Sequence, residues 1–224
     1  MVVGEPGSNN GSMNHADSIQ AASPRLLLVC MTCAIVFSSC GPSDRFTWFL
    51  ETVPLMIGMP ILWLTAKRFP LTPLLRFLIG VHACILALGG AYTYAEVPLG
   101  FWLQDVFGFD RNPYDRIGHL AQGFIPAVLT REILLRSTPL QRGAWLSFLS
   151  VSVCLAFSAF YELIEWWAAL ASGESATAFL GTQGDIWDTQ WDMFLALIGA
   201  CVAIACLASM HNRQLAKLGV AMGR

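Results

Sequence analysis

Three short segments of the chain place acids, an imidazole and amides at helical spacing. The first is Tyr114-Asp115-Arg116-Ile117-Gly118-His119-Leu120-Ala121-Gln122-Gly123. Asp115 and His119 are four residues apart and His119 and Gln122 three, so on a helix the three share a face. The second segment, residues 157–167, carries Ser158, Glu162 and Glu165 as an i, i+4, i+7 stripe that ends at Trp166 and Trp167. The third, residues 181–193, spaces Asp185, Asp188 and Asp192 by three and four, with Gly181 and Gly184 relaxing the turn before them. Asp185 is expected there as the N-cap or as a first-turn acid.

Five carboxylates (Glu162, Glu165, Asp185, Asp188 and Asp192) and His119 cannot all stay ionised and unpaired at low dielectric. Either protons are shared or cations neutralise them. Arg116 supplies one positive charge, too little for five acids. A divalent metal is the economical remedy, and this oxygen-rich set suits Mg, Mn, Ca or Fe better than a structural Zn site. In that reading His119, Glu162, Asp188 and Arg116 carry the chemistry. His119 acts as ligand or general acid/base and Arg116 holds an anionic group, while Asp115, Gln122, Tyr161 and Gln190 orient the others.

The elements that position these residues are membrane helices. Over 224 residues the chain is 55% hydrophobic and 12% charged, with a mean hydropathy of +0.57, which describes a polytopic membrane protein. Apolar runs near residues 26–39, 48–66, 73–94, 117–135, 144–170 and 187–210 approach the ~20 residues needed to cross hydrocarbon. An all-α bundle of six transmembrane helices over residues 24–210 follows, the first helix marginal in length. Residues 1–23 lack apolar periodicity and are expected as a disordered cytoplasmic tail, and residues 211–224 as a short cytoplasmic one.

Ten Lys and Arg fall to one side of this topology and three to the other, which puts both termini in the cytoplasm. Twelve of the fifteen acids fall on the opposite, outward side. Residues 95–114, with Trp102 and three Phe, read as an amphipathic piece at the interface, with the reach of a lid. His82, alone in the third run, reads as a packing residue. Of the seven cysteines, Cys30-x-x-Cys33 lacks a second pair or a nearby His and is not read as a metal site.

The run Tyr114-Asp115-Arg116-Ile117-Gly118-His119, then Tyr161-Glu162-Leu163-Ile164-Glu165-Trp166, then Gly184-Asp185-Ile186-Trp187-Asp188-Thr189-Gln190-Trp191-Asp192-Met193, resembles the bacterial YjdF-like inner-membrane family. The resemblance spans roughly residue 55 to the last helix. It implies a multi-span protein of the bacterial inner membrane and no particular reaction. Known membrane-enzyme patterns fit poorly. The Asp185, Asp188, Asp192 run lacks the Gly-x-x-Ala-Arg companion of CDP-alcohol phosphotransferases, Gly118-His119 follows Ile117 where lipid phosphatases have Ser, and Ser158 follows Ala156-Phe157.

The reading that results is a metal-dependent hydrolase or transferase working from the outer face on a lipid-linked or phosphate-bearing substrate. Its partners are membrane lipids, and no nucleic acid is expected. The same residues also suit an ion-coupled carrier, or a polar cluster that only locks helices together.

Overall fold

The computed structural model describes residues 15–172 and 182–219. Among them are seven α-helices and no strand: α1 (His15–Ser39), α2 (Arg45–Thr65), α3 (Pro73–Tyr92), α4 (Pro98–Phe107), α5 (Tyr114–Ser137), α6 (Ala144–Ser172) and α7 (Asp188–Lys217). A single 3-10 turn, Tyr94–Glu96, precedes α4.

Four helices are long and apolar enough to cross a membrane: α2, α3, α6 and α7. The apolar part of α1, Pro24–Ser39, is shorter. Helix α5 has the length but carries Asp115, Arg116, Arg131, Glu132 and Arg136, and that charge separates it from the other four. Large apolar side chains face outward all around, among them Phe37, Trp63, Phe77, Trp145 and Leu170, as a lipid-embedded surface requires.

Residues 1–14 of the expected N-terminal tail lie outside the described residues, and α1 already opens at His15, upstream of the apolar run. At the other end α7 continues past position 210 to Lys217, because His211 and Leu215 still face inward and are buried.

Local chemistry explains the helix ends. Asp44 caps α2 by accepting from Thr47 N at 2.6 Å, and Thr72 caps α3, whose first residue is Pro73. Gly108 ends α4 in the left-handed conformation, with its N–H donated to Gln104 O.

Two apolar clusters hold the bundle. Leu75, Val128, Cys154, Ala200 and Ala203 join α3, α5, α6 and α7, while Leu27, Met31, Leu55 and Ala83 join α1, α2 and α3. The closest approach is between α5 and α7. A Cβ on Gly123 would meet Ala196 O at 1.8 Å, and one on Gly199 would meet Leu120 O at 2.1 Å. Without a hydrophobic drive between helices in lipid, such backbone contact supplies the dispersion that holds them.

Helix α4 presents Leu99, Phe101, Trp102, Val106 and Phe107 as exposed side chains and buries Gly100 against Asn112. The chain after it is tied down by Asn112. Its side chain donates to Val97 O and accepts from Tyr114 N, both at 3.0 Å. Gln183, in the turn before α7, accepts from Asn112 N and donates to Asn112 O, again at 3.0 Å each.

Candidate functional site

His119 sits one turn into α5 and is 6% exposed. Its Nδ1 lies 2.9 Å from Gln122 Oε1, the i, i+3 contact that the spacing implies. Around the same ring stand Asp115 Oδ1 at 3.6 Å, Glu162 Oε1 at 3.8 Å and Asp192 Oδ2 at 3.9 Å. Three helices therefore deliver carboxylates to one imidazole. The Gly123 and Gly199 contact brings Asp192 across to α5, and the Ser158, Glu162, Glu165 stripe of α6 lies wholly buried against them.

Among the described residues, two sets of ligand atoms are close enough to share one ion: Asp115, His119 and Asp192, and His119, Glu162 and Glu165, each set within 4.8 Å. Asp115, expected only as a supporting residue, is thus as near to His119 as any acid. Tyr161 packs edge-on to the His119 ring, 6.4 Å between centroids.

Several oxygens in this cluster lack a hydrogen bond. Glu162 Oε1, Asp192 Oδ1 and Ser158 Oγ are buried without a partner, as is Glu51 Oε2 on the facing helix α2. A buried polar group left unpaired costs roughly 1–3 kcal/mol, more when charged, and such groups are rare enough in folded proteins to call for an explanation.

The other two acids of the third segment are held elsewhere. Helix α7 begins at Asp188 with Trp187 as N-cap residue, so Asp185 lies in the preceding turn and accepts from Trp187 N at 2.9 Å. Of the two roles expected for it, N-cap and first-turn acid, Asp185 fills neither, and Asp188 is the first-turn acid. Gln183 and Gly184, just before Asp185, both have positive φ, and a turn at residues 186–187 carries the chain on to the helix, two residues later than an N-cap at Asp185 requires. Arg116 donates to Asp185 Oδ2 at 2.8 Å and stacks over Trp191. Arg111 donates to Asp188 and approaches Asp115 Oδ2 at 3.5 Å. Asp185 and Asp188 thus form an outer charged layer with two arginines, above the inner layer of Asp115, His119, Glu162, Glu165 and Asp192. Gln190 is exposed, away from both layers.

A cavity with room of about 80 Å³ opens beside the inner layer, lined by Glu51, His82, Tyr94, Asp115, His119 and Glu165, among others. Its far wall was not anticipated. Glu51 is 3% exposed and accepts from Tyr94 N at 3.4 Å, and Tyr94 is seated where Gly89 and Gly118 leave no room for a Cβ. A lone acid in the apolar run of α2 was the available signal. His82, read as a packing residue, also faces this cavity. Below it, an apolar cavity of about 450 Å³ between α2, α3 and α5 shares Pro54, His82 and Leu86 with it.

A second polar centre lies at the opposite end of α5. Glu132, fully buried, accepts from Thr72 Oγ1 at 2.8 Å and Arg136 Nη1 at 2.8 Å, and pairs with His211 Nε2 at 2.9 Å. Arg131 meets His211 Nδ1 at 2.8 Å and donates to Asn212 at 2.6 Å. Its carboxylate oxygens are all engaged, unlike those around His119.

Residues 23–213 match the family described as "Predicted membrane protein (DUF2238)". The chain belongs to this family. It is also 50% identical, over 193 residues, to the inner membrane protein YjdF of Escherichia coli (strain K12), which covers 86% of this chain and 92% of that protein. No solved structure matches the chain. With four helices fit to cross a bilayer, this family member is an integral protein of the bacterial inner membrane.

Proposed function

We propose that the chain is a metal-dependent membrane hydrolase or transferase that works on a lipid-linked or phosphate-bearing substrate in the pocket around His119. The observation that carries this reading is the ring of carboxylate oxygens at 3.6 to 3.9 Å from the imidazole nitrogens, of which Glu162 Oε1 is buried without a partner, as is the other oxygen of Asp192. Those gaps are too long for hydrogen bonds. They fit an intervening cation, since ligands about 2.0–2.6 Å from one ion stand about 3–4 Å from each other.

His119 with Asp115 and Asp192, or with Glu162 and Glu165, would hold the ion, and the donor set favours Mg, Mn, Ca or Fe over a structural Zn. Bound there, a divalent cation supplies Lewis-acid polarisation and an acidified water. The chain's own residues do the rest. Gln122 fixes the His119 ring, and Arg111 and Arg116 hold Asp188 and Asp185 at the entrance. Arg116, with a third of its side chain exposed, keeps a face for an anionic group. Glu51 and Tyr161 close the walls. The apolar cavity that meets this pocket at Pro54, His82 and Leu86 gives the hydrocarbon part of a lipid-linked substrate a place beside the polar centre.

Six crossings, counting α1 and α5, with both termini in the cytoplasm, turn the pocket toward the periplasm. The distribution of Lys and Arg supports that orientation.

Metal analysis of the purified protein tests the reading first. A stoichiometric divalent ion, lost in His119→Ala and Glu162→Ala proteins that stay folded, is the expected result. Absence of the ion after supplementation overturns it. Asp188→Ala separates the outer layer from the inner, because it is expected to impair turnover with the ion retained. Proton- or sodium-driven flux in liposomes would favour the carrier reading instead.

A further inference from the structure

A second apolar groove, with room of about 670 Å³, runs along the opposite face of α3 between α1, α4 and α5. It begins at Arg76 in the first turn of α3, passes Phe77 and Gly80, and reaches Leu88 and Leu99. From Arg76 to Leu88 the helix rises about 18 Å at ~1.5 Å per residue, somewhat more than half of a hydrocarbon core of ~30 Å. The groove is therefore long enough for an acyl chain, with a guanidinium near one end.

Arg76 is poorly matched by protein. Its Nε is buried without a hydrogen-bond partner. Glu132, the acid whose field reaches it, has its carboxylate oxygens engaged by Thr72, Arg136 and His211. A guanidinium presents its donors in a planar fork suited to phosphate, and leaving a buried donor unmet is costly.

We propose that this groove is a phospholipid site, with the lipid phosphate on Arg76 and one acyl chain laid along α3 past Gly80. Its Arg76 end lies toward Glu132, away from the His119 pocket, and its lining includes none of that site's acids. A stable lipid there would complete the packing of α1 against α3, where the short apolar run of α1 leaves the groove open.

The test is lipid titration of the delipidated full chain in detergent, read by native mass spectrometry. Phosphatidylglycerol is expected to bind one to one, and neither the diacylglycerol with the same chains nor glycerol 3-phosphate is expected to compete. Arg76→Gln should weaken phosphatidylglycerol roughly tenfold, the loss of one charge-assisted contact, and Arg76→Lys by less. Gly80→Leu probes the chain independently of the charge. A Cβ at Gly80 meets only Leu27 Cδ1, at an ordinary 3.5 Å, so the residue is tolerated while its side chain fills the groove, and binding should fall with Arg76 intact. Should Arg76→Gln fail to fold, Gly80→Leu and the diacylglycerol comparison decide. Wild-type binding by Gly80→Leu, or equal binding of diacylglycerol and phosphatidylglycerol, overturns the proposal.

Discussion

Glu132 and His211 meet at 2.9 Å although 79 residues separate them in the chain. Their bond ties together the ends of α5 and α7 that lie away from the His119 pocket, as the Gly123 and Gly199 contact ties their middles. Removing the carboxylate leaves His211, Arg136 and Thr72 without their shared acceptor. Glu132→Ala is expected to cost roughly 3–5 kcal/mol, the usual consequence of breaking a buried charged pair. Thermal unfolding in detergent measures the loss, and the metal content of the protein that remains folded should stay unchanged.

The centre around His119 should respond in the opposite sense. Asp192 Oδ1 is buried without a partner, so Asp192→Asn removes a charge while giving up no hydrogen bond at that atom. In metal-free protein the variant is expected to melt at the same temperature as the parent or higher, while metal retention falls. Sites held strained for function commonly behave this way. A clear drop in melting temperature would show that Asp192 stabilises the bundle.

Gly123 offers no space for a side chain, because a Cβ would fall 1.8 Å from Ala196 O on α7. Backbone cannot yield as a flexible side chain does, so Gly123→Ala should destabilise by about 1–3 kcal/mol or more. The same change pushes Asp192 away from His119, and metal affinity should drop with it. Equal metal binding in Gly123→Ala and parent protein would separate the helix contact from the site.

Arg111 and Asp188 are joined across 77 residues and are both nearly buried. A double-mutant cycle with Arg111→Ala and Asp188→Ala is expected to show a coupling between about 0.5 and 3 kcal/mol. Each single change should hurt more than its share, since it strands the other charge. Additive effects would mean that the outer layer is held by its other contacts.

At the N-cap of α2 the pH dependence has a definite sign. The hydrogen bond from Thr47 N holds the exposed Asp44 carboxyl below its ordinary value of 3.8. A lowered folded-state value means that the cap's contribution is complete above the unfolded value of about 3.9 and fades as pH falls through the folded one. Asp44→Ala should therefore cost ~1 kcal/mol at neutral pH. The two melting curves should converge once the acid of the parent protein is protonated.

What the sequence made legible was local. Asp115, His119 and Gln122, and Ser158, Glu162 and Glu165, each lie within two turns of one helix, so spacing alone placed them on shared faces and the structure joins them. Asp192 followed from its own helix in the same way. Asp185 did not, because the helix opens three residues later, at Asp188, and the turn at residues 186–187 intervenes. Contacts across long stretches of chain left no periodic trace. Glu51 opposite His119, Arg111 on Asp188, and Thr72, Glu132 and His211 together all arise from packing between helices that no window of sequence contains. Glu132 was legible only as an acid on the wrong side of a charge count. The marginal first run and the charged fifth helix likewise kept the count of spans from following on hydropathy alone, since α5 carries its polar residues inward at both ends.

Helix α5 is bolted at three levels: by the Glu132 network at one end, by the glycine contact with α7 in the middle, and by Tyr114, whose hydroxyl donates to Ile85 O, at the other. The facing wall of the pocket belongs to α2, which carries Glu51 and two internal prolines, Pro54 and Pro60. The pocket is thus walled on one side by a helix fastened along its length and on the other by one whose own hydrogen-bond ladder is interrupted twice.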